Sequence, residues 1–401
     1  MIRNRHIIVV GLQPWDIGIG SNCKNMALEL SRHNKVLYVN RALDRITALR
    51  AGNDAKTQRR KSSLKGETMD LQAVTSSLYT LDPRTVLESI NKVPFPFLFD
   101  LLNRMNNKRL AREINSAAAR LGFSNPLLFI DNDFFRAFYL PELLNGVTET
   151  IYYIRDNLTS QPYFKRHGVR LERQLMAKAT MVAANSAFLA RYARQYNDHS
   201  YDIGQGCEFG TVPAVPPAMP EDLRQLPRPL IGYVGALISS RLDIGLIEHI
   251  ALAKPAYSIV LVGPEDGTFS ASKLHQLPNV HFLGSKPAGM LGDYISQFDV
   301  CLNPQAVNEM TIGNYPRKID EYLFFGKPVV ATDTEAMRMF EDYVYLCNGA
   351  GPYVEAIDAA LEEQNNGSSL GGQRKQFALS HTWENCIAAL GEKFSALNKL
   401  N

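Results

Sequence analysis

The chain has 401 residues, of which 45% are hydrophobic and 21% are charged, as in ordinary globular proteins with a sizeable core. Its length predicts two or three domains. No apolar run reaches the roughly eighteen residues of a transmembrane helix, and five scattered cysteines lack metal or redox spacing. The apolar run HIIVV (6–10) indicates a first strand rather than a signal peptide. We therefore expect a cytoplasmic protein.

The charge is distributed unevenly along the chain. Residues 1–225 carry 30 Lys and Arg against 21 Asp and Glu, a net charge of +9, and the remainder carries 13 against 19, a net charge of −6. A basic first half predicts an anionic partner, such as a membrane leaflet, a phospholipid or a nucleic acid. Many of these cations lie in residues 41–67, which are equally compatible with a solvated loop.

The first half alternates short apolar runs with helical periodicity, which predicts a parallel, doubly wound sheet. The strand patterns are HIIVVGL (6–12), KVLYVN (35–40), PLLFIDND (126–133), ETIYYIRDN (149–157) and TMVAANS (180–186). A Pro-rich stretch, residues 211–229, breaks both periods and predicts a domain boundary.

The same alternation then restarts. Its strand patterns are LIGYVGAL (230–237), YSIVLVGPEDG (257–267), VHFLGSK (280–286), DVCLNPQ (299–305) and PVVATD (328–333). We predict an α/β protein of two Rossmann-like doubly wound domains, 1–215 and 216–380, facing a cleft at the carboxyl ends of their strands. Residues 380–400 predict an amphipathic helix with Ser380 as its N-cap.

A Gly-containing loop follows the first strand. A dinucleotide fingerprint needs a third glycine where Cys23 stands and an acid where Asn40 stands, so the loop does not predict NAD binding. It remains suited to an anion or a sugar before a helix N-terminus, and a simple turn is an equal alternative. The residues of this candidate acceptor or phosphate loop are Trp15, Asp16, Gly18, Gly20 and Ser21.

A second Gly-containing turn follows the strand LIGYV (230–234). Backbone amides after Gly235 could face a diphosphate, with Arg241 adding a positive charge. Arg241 could instead form a surface ion pair with Asp243 or Glu248, and the sequence leaves both interpretations open.

The stretch NYPRKIDEYLFFGKPVVAT (314–332) predicts a helix that runs into a buried strand. Ile319 and Leu323 can pack on the sheet, which leaves Lys318 and Glu321 free to meet a phosphate and a ribose. The alternative is an ordinary Lys–Glu surface pair, which the spacing alone favours. The candidate donor-binding residues are Gly235, Arg241, Asn314, Tyr315, Lys318, Glu321 and Tyr322.

Residues 279–305 and 314–332 resemble the donor-binding domain of GT-B glycosyltransferases of the family 4-like group, which includes enzymes of teichuronic-acid and exopolysaccharide assembly. The resemblance implies that Glu321 holds the nucleotide ribose and that Lys318 lies near the donor phosphates. It also implies a UDP-sugar donor for 216–380, an acceptor site in 1–215 and a C-terminal helix, 381–401, that crosses back to the first domain.

The sequence departs from the retaining members of that family. Their second glutamate lies eight residues before the ribose glutamate, where this chain has Gly313, and Glu309 has the wrong spacing. The departure favours a likeness to the inverting, xanthan-type glucuronosyltransferases.

An inverting transfer needs a general base for the acceptor hydroxyl. Within the resemblance Asp156, at the end of a first-domain strand, is the best candidate, and Asp131 and Asp133 are its competitors. Each could merely cap a turn, and Asp156 could pair with Arg155. We predict no metal and no cofactor, although the strand-end acids of DND (131–133) resemble a metal motif.

The resemblance implies a hexosyltransferase that moves a sugar from a UDP-sugar to a saccharide or lipid-linked oligosaccharide in cell-surface polysaccharide biosynthesis, with inversion slightly favoured. The alternatives are a nucleotide-sugar epimerase of the same fold and a non-catalytic nucleotide-sugar-binding partner of an assembly complex. Residues 92–114 place Phe and Leu beside Lys and Arg, a pattern more common in a core helix with a basic outer face. Together with the basic first half, it slightly favours peripheral contact with the inner membrane face. We expect no nucleic-acid partner.

Overall fold

The computed structural model describes residues 1–16, 21–49, 62, 64, 66, 69–209, 219–366 and 369–397. Contacts between residues divide the chain into two compact units. The first unit comprises Met1–Gly206 with Trp383–Asn401, and the second comprises Cys207–Thr382. The predicted domain boundary at 215/216 falls within residues 210–218, outside the described residues.

The first unit is built on an eight-stranded sheet in the order β3-β4-β2-β1-β5-β6-β7-β8. Neighbouring strands are parallel, except that β3 and β4 are antiparallel. The strands are β1 (His6–Gly11), β2 (Lys35–Val39), β3 (Leu71–Ala73), β4 (Leu78–Leu81), β5 (Leu127–Asp131), β6 (Thr150–Ile154), β7 (Met181–Ala184) and β8 (Ser200–Asp202). Its helices include α1 (Asn22–Ser31), α2 (Arg45–Leu49), α3 (Pro96–Arg120), α4 (Leu140–Leu143), α5 (Pro162–Lys178) and α6 (Ala187–Arg194).

The second unit has a six-stranded parallel sheet in the order β11-β10-β9-β12-β13-β14. The strands are β9 (Leu230–Val234), β10 (Ser258–Val262), β11 (Val280–Gly284), β12 (Val300–Asn303), β13 (Val329–Thr332) and β14 (Tyr345–Cys347). Its helices include α7 (Ile244–Ala253), α8 (Gly267–Ser270), α9 (Leu291–Gln297), α10 (Arg317–Phe324), α11 (Ala350–Asn365) and α12 (Leu370–Ser380). Short 3-10 helices span Leu158–Ser160, Glu221–Leu223, Lys273–Gln276, Ala288–Met290 and Glu335–Phe340.

The inner strands are continuous apolar runs because helices cover both faces of each sheet. Every residue of β5, β6, β9 and β10 is buried, and separate hydrophobic clusters lie on the two faces of each sheet. Each unit therefore has the predicted doubly wound α/β organisation.

Helix α13 (Trp383–Leu397) packs against α1 within the first unit. The prediction that Ser380 caps this helix was wrong: α12 ends at Ser380, whose hydroxyl donates to the carbonyl of Phe377. No helix in the described part of the chain is long and apolar enough to cross a membrane.

Candidate active site

Helix α10 carries the predicted donor-binding face. Ile319 and Leu323 are fully buried against the sheet of the second unit, whereas Lys318 and Glu321 keep partly exposed side chains. Gly326, at φ 69°, allows the chain to leave the helix and enter β13. The apolar spacing thus orients the helix so that its polar residues stay available.

Lys318 lies beside the end of β9. Its ammonium donates a hydrogen bond to the hydroxyl of Tyr233 and lies 4.1 Å from the centre of that ring. Gly235 has φ +144°, and a Cβ at this position would be 2.6 Å from the Lys318 nitrogen. A glycine at 235 therefore leaves the space that the lysine occupies, and the fold brings together two residues that are 83 positions apart in the chain.

Glu321 does not form the Lys–Glu surface pair that its spacing allows. Its Oε1 instead accepts a hydrogen bond from Arg317 Nε at 3.1 Å, and the carboxylate is 31% exposed. One turn of helix thus presents an ammonium group and a carboxylate that do not neutralise each other.

Arg241 lies in the loop that links β9 to α7. It is exposed, and within the described residues it forms no ion pair with Asp243 or Glu248. Asp243 instead caps α7 by accepting a hydrogen bond from the amide of Leu246 at 2.9 Å. The surface-pair interpretation of Arg241 is therefore not the one that the structure adopts.

The other three candidates of this stretch lie deeper. Tyr322 is fully buried, and its hydroxyl accepts a hydrogen bond from the amide of Val234 at 3.0 Å, so it supports the end of β9 rather than lining a surface. Burial raises the pKa of Tyr322, which keeps it neutral. Tyr315 is also buried. Asn314 has a buried Oδ1 without a hydrogen-bond partner among the described residues.

A buried polar cluster around Asp320 was not predicted. This fully buried carboxylate accepts hydrogen bonds from Tyr315 at 2.7 Å and Cys207 at 3.3 Å, and lies 2.6 Å from Nδ1 of His381. Burial and the nearby Asp320 raise the pKa of the Cys207 thiol, so the thiol stays protonated and donates. These contacts connect α10 to Cys207 and His381, which lie at the two ends of the second unit.

In the first unit the predicted acids lie at adjacent strand ends. Arg155 contacts Asp131 at 2.9 Å and Asp156 at 2.8 Å, and Asp156 keeps a side chain that is 31% exposed. Although burial opposes its charge, Asp131 and Asp156 raise the pKa of Arg155 above its ordinary value. The side-chain amide of Asn132 donates to the carbonyl of Asp156 at 3.2 Å. The ion pair that was an alternative for Asp156 is therefore present.

The candidate loop after β1 is described only in part, because Gly18 and Gly20 lie outside the described residues. The amide of Trp15 donates to Asn40 Oδ1 at 2.7 Å, and Asp16 lies beside it in the chain. Ser21 is buried and caps α1 by accepting a hydrogen bond from the amide of Lys24. This hydroxyl therefore serves the helix terminus.

The described residues contain no group of three His, Cys, Asp or Glu side chains arranged to hold a metal ion. The two acids of the DND motif point to different arginines: Asp131 pairs with Arg155, and Asp133 pairs with Arg136 at 2.5 Å.

Comparisons with known proteins address the fold and the second unit. Residues 228–363 match the family model described as Glycosyl transferases group 1. The chain is 26% identical over 257 residues to TuaH of Bacillus subtilis (strain 168), a proposed teichuronic acid biosynthesis glycosyltransferase; the match covers 61% of this chain and 64% of that relative. It thus spans less than two thirds of the relative's length.

Two solved structures share the fold of the whole chain. HepE of Anabaena, in complex with UDP, has a TM-score of 0.65 at 16% identity, covering 98% of this chain and 100% of that one. Sucrose-phosphate synthase of Thermosynechococcus elongatus has a TM-score of 0.67 at 16% identity, with both chains fully covered. The predicted GT-B fold is confirmed, and the family match supports the predicted glycosyltransferase class for residues 228–363.

Proposed function

We propose that this chain, whose residues 228–363 form a group 1 glycosyltransferase domain, transfers a sugar from a UDP-sugar to a saccharide or lipid-linked oligosaccharide during cell-surface polysaccharide assembly. The observation that carries the proposal is the placement of Lys318 beside Gly235, with Glu321, which pairs with Arg317 and not with Lys318, one turn away. The complex of HepE with UDP and the likeness to TuaH support the donor and the pathway class.

The donor site follows from charge and hydrogen-bonding chemistry. The Lys318 ammonium binds the diphosphate and stabilises the negative charge that builds on UDP as the glycosidic bond breaks. Glu321 accepts hydrogen bonds from the two ribose hydroxyls, and Arg241 adds a second positive charge from the loop after β9. No metal is needed in this scheme, because protein cations and backbone amides meet the leaving group.

Transfer with inversion needs one base and one displacement. The acceptor oxygen attacks the anomeric carbon, the bond from that carbon to the UDP oxygen breaks, and the acceptor's proton passes to the base. We assign Asp156 as the base, because its carboxylate follows β6 and its side chain is 31% exposed, so an acceptor hydroxyl can reach it. Asp131 is fully buried and therefore less accessible to an acceptor.

The test is UDP release from a panel of UDP-sugars, with and without a lipid extract that supplies acceptors. We expect acceptor-dependent release by the wild-type chain, and Asp156→Asn should abolish it while UDP binding is retained. Asp198→Asn, an exposed acid of the same unit, is the matched control. Full activity in Asp156→Asn would refute the base assignment, and an acceptor-independent change of the UDP-sugar itself would identify an epimerase.

The outer face of α3 supports peripheral contact with an anionic membrane. Phe97 and Leu101 are 74% and 66% exposed, and Arg104, Lys108 and Arg112 continue the same face of the helix. Large apolar side chains enter the bilayer interface while neighbouring cations meet lipid phosphates. Asp100, which precedes Leu101 in the helix, is paired with Arg170 at 2.6 Å. We therefore propose that this face meets the inner leaflet.

Vesicle sedimentation tests the membrane contact. The chain should bind vesicles of phosphatidylglycerol mixed with phosphatidylcholine, and the double variant Phe97→Ser/Leu101→Ser should lose that binding. Leu252→Ser, which removes a leucine that is 60% exposed in the second unit, should retain it. Equal binding by all three proteins would contradict the assignment of this face.

A further inference from the structure

A cavity of about 390 Å³ lies within the first unit, at the same end of the sheet as Asp156. Leu12 follows β1, and Asn132 and Asp133 follow β5; all three line the cavity. The side-chain amide of Asn132 also donates to the carbonyl of Asp156, which joins the cavity wall to the proposed base. The cavity is therefore placed where ligands of open α/β sheets bind.

Three of the side chains that line the cavity are cationic, and we call them the cationic wall. Arg41 and Lys92 are exposed, and neither forms an ion pair with a described residue. Arg136 is only 14% exposed and pairs with Asp133. Burial and the nearby charge of Arg41 lower the pKa of Arg136, whereas Asp133 raises it. An anion bound here would therefore stabilise the charged form of both arginines.

The remaining acids of the wall are already engaged. Asp44 accepts hydrogen bonds from Thr47 and Ser89. Glu88 pairs with Arg45 at 2.7 Å and with Arg109 at 3.1 Å, so it meets two arginines. Among the described residues, neither carboxylate forms an ion pair with Arg41 or Lys92, so the donors of both cations stay available to an anion.

The cavity is also lined by apolar and aromatic side chains, which we call the aromatic wall. Its side chains are Leu12, Ile46, Leu87, Ile90, Phe135, Tyr163 and Phe164. Tyr163 is 57% exposed, so the wall continues to the surface. Asn103, which lines the cavity and is 1% exposed, has a buried Nδ2 without a hydrogen-bond partner among the described residues. An unpaired buried amide is costly and indicates a donor available to a ligand.

We propose that this cavity binds the acceptor through a phosphate attached directly to an apolar group, with the phosphate on Arg41, Lys92 and Arg136 and the apolar group along the aromatic wall. A neutral sugar would leave the cations unmatched, and free phosphate would leave the apolar wall exposed to water. The inference rests on the proposed function, because it specifies the acceptor of that reaction.

Calorimetry with octyl phosphate, octyl glucoside and inorganic phosphate, each below its micelle concentration, tests the cavity. Octyl phosphate should bind at least about tenfold more tightly than either other probe, since it alone satisfies both walls. Equal affinity for octyl glucoside and octyl phosphate would overturn the proposal. Tighter binding of inorganic phosphate than of octyl phosphate would overturn the proposal that the cavity binds an apolar group.

Variants separate the two walls. Arg41→Gln/Lys92→Gln changes only exposed side chains, so folding is retained, and it should weaken octyl phosphate binding about tenfold without affecting octyl glucoside. Arg3→Gln, which changes an exposed arginine outside the cavity, is the control and should change neither. Unchanged octyl phosphate affinity in the double variant would refute the cationic wall. UDP binding, measured on the same samples, reports separately on the donor site.

Discussion

Lys318→Met gives the sharpest mutational test of the donor site. The substitution keeps an unbranched apolar stem of similar length and removes only the ammonium group that lies beside Tyr233 and Gly235. A charge-assisted hydrogen bond to phosphate contributes about 1.5–3 kcal/mol, so the affinity for UDP should fall about 10- to 150-fold. The affinity for uridine, which has no phosphate, should be unchanged.

The structural contribution of the same lysine should be small. Its contact with the Tyr233 ring is worth about 0.5–1 kcal/mol, so the free energy of unfolding should change by no more than about 1 kcal/mol. Calorimetric titration with UDP and with uridine, combined with urea unfolding, measures both effects.

A matched control exists in the same unit. Lys286 lies 5.5 Å from the ring centre of Tyr294 and pairs with Asp222 at 2.7 Å, so Lys286→Met removes a comparable ammonium contact. It should leave UDP affinity unchanged. If Lys318→Met binds UDP as tightly as the wild type, or if uridine binding weakens by the same factor as UDP binding, Lys318 does not bind the diphosphate.

Four further substitutions test the supporting structure. Gly235→Ala places a Cβ at φ +144° and 2.6 Å from the Lys318 nitrogen; UDP affinity should fall, and urea unfolding should show a loss of about 1–3 kcal/mol. Asp320→Ala leaves its buried partners unsatisfied and should cost about 3 kcal/mol in the same assay. Tyr315→Phe, which removes the hydroxyl that contacts Asp320 and His381, should cost about 1–2 kcal/mol. Burial raises the pKa of Glu172 from 4.5 to about 7. Between these two pH values the folded chain holds more protons than the unfolded chain, so the free energy of unfolding should fall by about 3 kcal/mol as the pH rises from 4.5 through 7. Glu172→Gln should remove that dependence on pH.

Much of the fold follows from the sequence because parallel strands buried on both faces are continuous apolar runs. The runs before Asp131, Asp156 and Gly235 each form a strand that ends close to the predicted position. The burial of Ile319 and Leu323 also follows from helical periodicity, and it determines which side of α10 stays available.

The inward turn of Tyr322 does not follow from that periodicity. It lies one turn after Lys318, and spacing alone places both residues on one face. In the structure the helix is rotated so that Tyr322 reaches the amide of Val234, a contact 88 positions away in the chain. Periodicity identifies two neighbouring faces of a helix but does not determine where the boundary between buried and exposed residues falls.

The Asp320 cluster and the role of Tyr233 depend on contacts between distant segments. Cys207, Asp320 and His381 are separated by more than 60 residues, and no local pattern relates them. The sequence carries one signal of this cluster. Asp320 lies next to Ile319, on the side of α10 that packs against the sheet, and an acid that is buried there needs a partner. The end of α12 at Ser380 was missed because its preceding residues, LGGQRKQFAL, include two glycines and show little amphipathic pattern.

The central claim is that the second unit binds UDP through α10, and calorimetric titration with UDP, GDP and ADP, first without metal and then with magnesium, tests it most directly. The account predicts selective, metal-independent binding of UDP that is lost in Glu321→Ala and retained in Glu341→Ala, an exposed acid of the same unit. Binding of none of the three nucleotides, or UDP binding that Glu321→Ala leaves intact, would contradict it.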